Sequence, residues 1–201
     1  MPIDELVERA MQRWPDVPAM YGWLRLDRRG RWLLIDRGRP GFDEARDGAG
    51  SEITSPPIID FIGRNYLADP QGRWYWQNGP QRVFVDLDIA PLVFRVLGEG
   101  ERTRLVTHTG YPSGAVLGAG IDRDGNLFAQ TEAGPGVIHD LDLAALEMSD
   151  SDPDSGPEND QGGSLRLRLG REWHALRPLA SPPGMLGYVV RPRAAAPLSE
   201  S

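Results

Sequence analysis

The sequence contains no cysteine and no lysine. The first absence excludes disulfides, thiol nucleophiles, iron–sulfur clusters and every zinc site built on cysteine. The second makes all 22 basic residues arginine, which removes the P-loop lysine, the Schiff-base lysine and the lysine general base. Genomic base composition that also favours Ala, Gly and Pro explains missing lysine without invoking function, and the exclusion holds either way. No apolar run approaches the length needed to cross a bilayer, and the N-terminus lacks a basic-then-apolar pattern. A cytoplasmic location away from the membrane is therefore expected.

Positive charge is also scarce as a field. The net charge of −7 is concentrated in Glu147, Asp150, Asp152, Asp154, Glu158 and Asp160, which stand in a stretch without a basic residue. The remainder is nearly neutral and offers no electrostatic footprint for nucleic acid or an anionic membrane. Hydrophobic residues at 40% and charged residues at 25% of 201 are ordinary for a globular chain large enough to bury one or two cores.

What is present is a phrase said three times. Asp27-Arg-Arg-Gly30-Arg-Trp32 returns as Asp69-Pro-Gln-Gly72-Arg-Trp74 and as Asp122-Arg-Asp-Gly125-Asn-Leu127. Each copy stands between short alternating apolar runs. Asp opens a turn with its side chain, and Gly supplies the positive φ of a tight hairpin. The phrase thus encodes a β-hairpin, and the chain reads as a duplicated antiparallel unit.

Around these hairpins the other elements fall into place. Ile3, Leu6, Val7, Ala10, Met11 and Trp14 recur at helical spacing, predicting an amphipathic helix that stops at Pro15. Tyr21 to Ile35 is a hairpin with Trp23, Leu24, Leu26, Trp32, Leu33 and Leu34 available to a core. Residues 38–52, rich in Gly, Asp and Arg, read as a mobile loop. Pro56-Pro57 introduces a short helix carrying Ile58, Ile59, Phe61 and Ile62. Strands are expected over 66–77 and 83–87, either side of Asn78-Gly79-Pro80, and then over 90–97, 105–109, 115–121 and 127–130. A short helix over 142–147 would be capped by Asp140 or Asp142. The acidic 148–163 stretch is predicted disordered. Leu165, Leu167 and Leu169 alternate with Arg166 and Arg168 in a strand that turns at Gly170 into a partner over 173–179.

Two repeat registers compete. One aligns 72–92 with 125–146, matching Asp86-Leu-Asp with Asp140-Leu-Asp. The other aligns hairpin–helix–hairpin at 20–88 with hairpin–helix–hairpin at 115–179, the acidic stretch being an insertion. The second leaves no orphan element and is preferred. The expected fold class is α+β: two related antiparallel hairpin–helix–hairpin halves, mostly β, with an N-terminal helix. The divisions are 1–19 for the helix and lead-in, 20–100 and 101–192 for the repeats, and 193–201 for a frayed tail.

Arg64-Asn65-Tyr66, the run from Asp69 through Trp74-Tyr-Trp-Gln-Asn-Gly-Pro-Gln-Arg-Val83, and Asp86-Leu-Asp-Ile-Ala-Pro91 carry a resemblance. Together with Thr107-His-Thr-Gly110 and the opening Tyr21 to Trp32, they resemble a proteobacterial family of unknown function. The likeness spans roughly 15–147 and is most specific over 64–91. The chain is also similar to a neighbouring bacterial family of repeated α+β motifs, part of which has been likened to pleckstrin-homology-type barrels. The resemblance implies duplicated halves and a binding or signalling role, and it carries over no catalytic residue.

The densest recognition cluster is Tyr66, Trp74, Trp76, Gln77, Asn78 and Arg82. On a strand Trp74 and Trp76 share a face that could stack on a ligand, with Arg82 fixing a carboxylate or phosphate. The competing reading makes the tryptophans core and Asn78-Gly79 a turn. His108, flanked by Thr107 and Thr109, could be a general base, although strand alternation turns both hydroxyls away from it. The histidines at 108, 139 and 174 include no local metal pair. Gly110-Tyr-Pro-Ser113-Gly114 has the wrong order for a nucleophile elbow, and Gly118-Ala-Gly120 is no dinucleotide fingerprint, so both read as loop glycines. Asp150 to Gly156 lacks the Gly and Glu that a calcium loop requires.

The function expected is a non-enzymatic binding or regulatory module for a small molecule or protein, without cofactor or metal. Tyr66, Trp74, Trp76, Gln77, Asn78, Arg82 and His108 form the candidate site. Two alternatives stay open: a hydrolase using His108, and an assembly subunit that forms a homodimer through a sheet edge.

Overall fold

The computed structural model describes residues 4–150 and 165–194. The disorder expected within 148–163 and in the tail falls largely outside these residues, as does the calcium-loop comparison beyond Asp150. The chain forms two compact units, the first from 4–27, 31–89 and 188–194 and the second from 28–30, 90–150 and 165–187.

In the first unit the order is α1 (Glu5–Arg13), β1 (Met20–Leu26), β2 (Trp32–Leu34), α2 (Glu44–Asp47), β3 (Ser51–Glu52), α3 (Pro56–Arg64), β4 (Tyr66–Ala68), β5 (Trp74–Asn78) and β6 (Gln81–Leu87). One sheet runs β3-β2-β1-β6-β5-β4. In the second unit follow β7 (Leu92–Leu97), a 3-10 turn at Gly100–Arg102, β8 (Arg104–Thr107), β9 (Val116–Asp122), β10 (Leu127–Thr131), β11 (Gly134–Ile138), a 3-10 turn at Asp140–Ala145, β12 (Met148–Ser149), β13 (Arg166–Leu169), β14 (Glu172–Leu179) and α4 (Pro182–Leu186). Their sheet runs β12-β13-β14-β9-β10-β11-β7-β8.

The two sheets share one plan. Reading β9 for β1, β10 for β2, β11 for β3 and β12-β13-β14 for β4-β5-β6 reproduces the same order, with β7 and β8 added beyond β11. Directions match as well: β1 runs parallel to β6, and β9 parallel to β14, while the outer pairs are antiparallel. The related halves aligned as 20–88 and 115–179 are present, and the alignment of Asp86 with Asp140 fails, because Asp86 lies on β6 and Asp140 on a 3-10 turn. Pairing is mainly antiparallel, as expected; beside the parallel pair of β11 with β7, the exception lies at the centre of each sheet. There a crossover carrying a helical turn returns the chain alongside its starting strand, and such a return makes a parallel pair.

All three Asp-x-x-Gly phrases form the expected turns. Asp69 Oδ1 accepts the N–H groups of Gln71 and Arg73, and Oδ2 accepts Arg73 Nε. Asp27 does the same for Arg31. Asp122 holds the N–H of Asn126 and its side-chain amide. Gly30, Gly72 and Gly125 all sit at positive φ.

Several local expectations change. On α1 only Val7 is buried, while Leu6 and Trp14 are 71% and 50% exposed. The 38–52 loop is braced instead of mobile in form: it holds α2 and β3, with Arg37 paired to Glu44 and Arg39 and Arg46 to Asp47. The 3-10 turn at 140–145 starts two residues early, and its cap is His139, whose Nδ1 accepts the Leu141 N–H. β11 and α4 have no counterpart in the sequence reading. The strand expected over 105–109 is shorter: β8 ends at Thr107 because Gly110, at φ 83°, closes a turn onto Thr107.

Candidate functional site

The aromatic cluster on β5 is architecture. Trp32, Tyr66 and Trp74 form a continuous buried stack with ring centroids 5.0 and 4.9 Å apart. Trp76 packs edge-on against Phe61 of α3 at 5.8 Å. The face that strand alternation assigns to a ligand is thus occupied by the protein's own helix. Gln77 is fully buried and donates through Nε2 to the Gly79 carbonyl, tightening the hairpin turn. Burial drives the Tyr66 phenol well above its ordinary value. Asn78 and Arg82 remain exposed, Arg82 lying 5.1 Å over the Tyr75 ring. The structure therefore joins Tyr66, Trp74 and Trp76 in a core, and leaves Asn78 and Arg82 on its rim.

His108 belongs to the second unit. Its N–H donates to the Val93 carbonyl at 2.7 Å, and its Nδ1 accepts the Val93 N–H at 3.3 Å. A Cβ on Gly30 would meet the His108 Cβ at 2.6 Å. These contacts pin the imidazole against backbone, a structural use of the ring. The Thr107 and Thr109 hydroxyls, expected to point away from His108, lie 2.8 Å from each other.

A cleft of about 740 Å³ lies within the second unit, over β9, β10 and β14 and beside α4. Its origin is the strand register. Gly120 of β9 stands between Phe128 of β10 and Arg177 of β14. Gly118 stands opposite Gln130. Glycines two apart on a strand share one face, so the central strand presents bare backbone there. The neighbours Trp173, Ala175 and Arg177, also two apart, rise along one side. Gly184 to Gly187 line the other. Gly118 and Gly120 are thus strand residues that floor a concavity, not loop glycines.

The two glycines differ. A Cβ on Gly120 would clash with Leu179, whereas a Cβ on Gly118 would meet nothing within 4 Å. Gly118 opens directly onto free space. The apolar residues Leu117 and Met185, which also line the cleft, are 65% and 55% exposed.

Charge in the cleft is simple. Arg177 is exposed and forms no ion pair with any described residue. On β13, by contrast, Arg168 is paired with Glu147 at 2.8 Å, and Arg166 donates to the Trp173 carbonyl. His174 lies below its ordinary 6.5 because burial penalises the imidazolium; Glu172 opposes this and Arg166 adds to it. It is neutral near pH 7. Among the described residues, a single guanidinium without an ion pair therefore faces an otherwise uncharged, partly apolar concavity.

A second hollow, of about 330 Å³, lies in the first unit among Leu34, Asp36, Arg39, Phe42, Arg46 and Asp47. Both of its arginines pair with Asp47: the Arg46 hydrogen bonds, then those of the Asp43 backbone and Arg39, hold the Asp47 carboxyl far below the usual range. None of the residues expected from the sequence lines either concavity. The cleft residues carry no motif, and the one signal pointing to them is the pair of glycines inside a strand pattern.

The model of the DUF2944 family, described as a protein of unknown function (DUF2946), matches residues 3–193. No curated protein matches the chain by sequence. Among solved structures, a DUF1285 family protein from Silicibacter pomeroyi DSS-3 is similar with a TM-score of 0.50 at 16% identity, over 79% of this chain and 81% of that one. A DUF1285 family protein from Shewanella baltica OS155 is similar at 12% identity with a TM-score of 0.39, over 61% of this chain and 87% of that one. The first of these likenesses supports the fold alone. The resemblance to an uncharacterised bacterial family, carried by the 64–91 run, is borne out.

Proposed function

The chain belongs to the DUF2944 family, and from that premise we propose that it is a non-enzymatic binding module whose ligand sits on the β9–β10–β14 face of the second unit. The observation that carries this reading is the glycine-floored cleft. Ligand sites are concavities of roughly 300–1,000 Å³, mostly apolar with a few polar groups, and this one, at about 740 Å³, joins bare backbone to Trp173, Met185 and Arg177, which has no ion pair among the described residues. The matching strand plans further support an ancestral duplication. In the first unit the positions of β1 that correspond by register to Gly118 and Gly120 are Trp23 and Arg25, so long side chains stand there where the second unit has glycine.

The test uses the full chain and a panel of small metabolites, read by protein-observed NMR. Ligands that bind wild type and are lost on Gly118→Leu locate the site in the cleft, and Arg82→Ala serves as the control that leaves them bound. A panel bound equally by wild type and Gly118→Leu, but lost on Arg82→Ala, would return the site to the β5–β6 hairpin.

A further inference from the structure

Resting on the binding reading above, we propose that the cleft takes a monoanionic amphiphile: a carboxylate with an extended apolar body, its head on Arg177 and its body over Gly118 toward Trp173.

Charge sets the head group. Arg177 is the one cleft guanidinium without an ion pair among the described residues, and a guanidinium matches one carboxylate in bidentate geometry. Arg168 is neutralised by Glu147, and the buried His174 stays uncharged near neutral pH. One positive charge balances one negative charge. A phosphomonoester would bring a second charge with nothing facing it.

Geometry sets the body. Trp173 and Arg177 are four residues apart on β14, about 13 Å along an extended strand. Between them, on the neighbouring strand, Gly118 leaves open space where any other residue would project a side chain. Leu117 and Met185 stand exposed at the margins. Apolar side chains gathered around a concavity mark a surface that an apolar group completes, and a methionine adapts its shape to what it covers. An amphiphile of medium length meets both conditions; a compact polar metabolite would leave Trp173 and Met185 uncovered.

Titration calorimetry of the full chain with decanoate, decanol and decyl phosphate, all below micellar concentration, tests this. Decanoate is expected to bind about tenfold or more tightly than decanol, the value of one charge-assisted contact, and decyl phosphate no more tightly than decanoate. Arg177→Met brings decanoate down to the decanol level, and Gly118→Leu abolishes both. Arg177 is exposed, so its replacement leaves the melting temperature unchanged and separates lost charge from lost fold. Equal affinity for decanoate and decanol, an unchanged affinity in Arg177→Met, or tighter decyl phosphate would overturn the monoanion. If Gly118→Leu still abolishes binding in those cases, the cleft stands with another ligand class. If Gly118→Leu has no effect, or decanoate fails to bind natively folded wild type while other metabolites bind elsewhere, cleft and ligand fall together.

Discussion

Leu179 fills the space that a side chain on Gly120 would need. A Cβ there would lie 2.7 Å from the Leu179 side chain and 2.9 Å from the Arg177 carbonyl, whereas a Cβ on Gly118 meets nothing within 4 Å. Neither glycine needs positive φ, so only space distinguishes them.

Gly120→Ala is therefore expected to destabilise the chain by about 1–3 kcal/mol, the usual result of overpacking. Gly118→Ala should be neutral or slightly stabilising, because alanine restricts the unfolded chain. Urea unfolding of the two variants side by side checks this. Equal losses would mean that the floor of the cleft is packed at both positions.

The Asp-x-x-Gly turns carry a second expectation. Asp69 accepts three hydrogen bonds, two of them from Arg73, and its carboxylate is 6% exposed. Asp69→Ala should lower stability by about 1–2 kcal/mol, and Asp69→Asn by less, since an amide oxygen still accepts the backbone N–H groups. Thermal melts that rank the two variants the other way would show that charge on Arg73, not turn closure, is the main contribution.

Asp142 gives a pH dependence. Hydrogen bonding from Arg95, then from the Val96 N–H, holds its carboxyl below the ordinary 3.8 against partial desolvation. A depressed folded value means that the unfolded chain binds the proton more readily. The contribution is therefore complete above pH 3.8 and is lost as pH falls through the lower folded value. The stability gap between wild type and Asp142→Asn should be full near neutrality and close in acid. A gap that persists unchanged to low pH would remove the Arg95–Asp142 pair as its cause.

His174 should titrate below 6.5. Glu172→Gln removes the group that holds it up and lowers it further; Arg166→Gln removes a repulsion and raises it. Imidazole NMR shifts follow both. A value above 7 in wild type would add a second cation to the cleft near neutral pH and weaken the argument for a single charge.

Much of the fold was legible because its signals are local. Asp27, Asp69 and Asp122 announce their hairpins through side-chain chemistry that acts within four residues, and Pro56-Pro57 announces α3. The parallel pairing of β1 with β6 is a tertiary matter, and no residue in either strand encodes a neighbour just over sixty positions away. β11 was hidden by Pro135 and its flanking glycines, which read as a loop until β7 pairs with them. The cleft was not legible for a related reason. Trp74 and Trp76 look like recognition residues until α3 is seen to cover them, whereas Gly118 and Gly120 matter through side chains they lack.

The most direct measurement is amide chemical-shift mapping of the full chain titrated with decanoate. Occupied as proposed, the cleft predicts perturbations centred on Gly118, Gly120, Arg177 and Gly187, with Tyr66, Gln77 and Arg82 unmoved. Perturbations centred on the β5–β6 hairpin, or spread with no focus on β9 and β14, would contradict it.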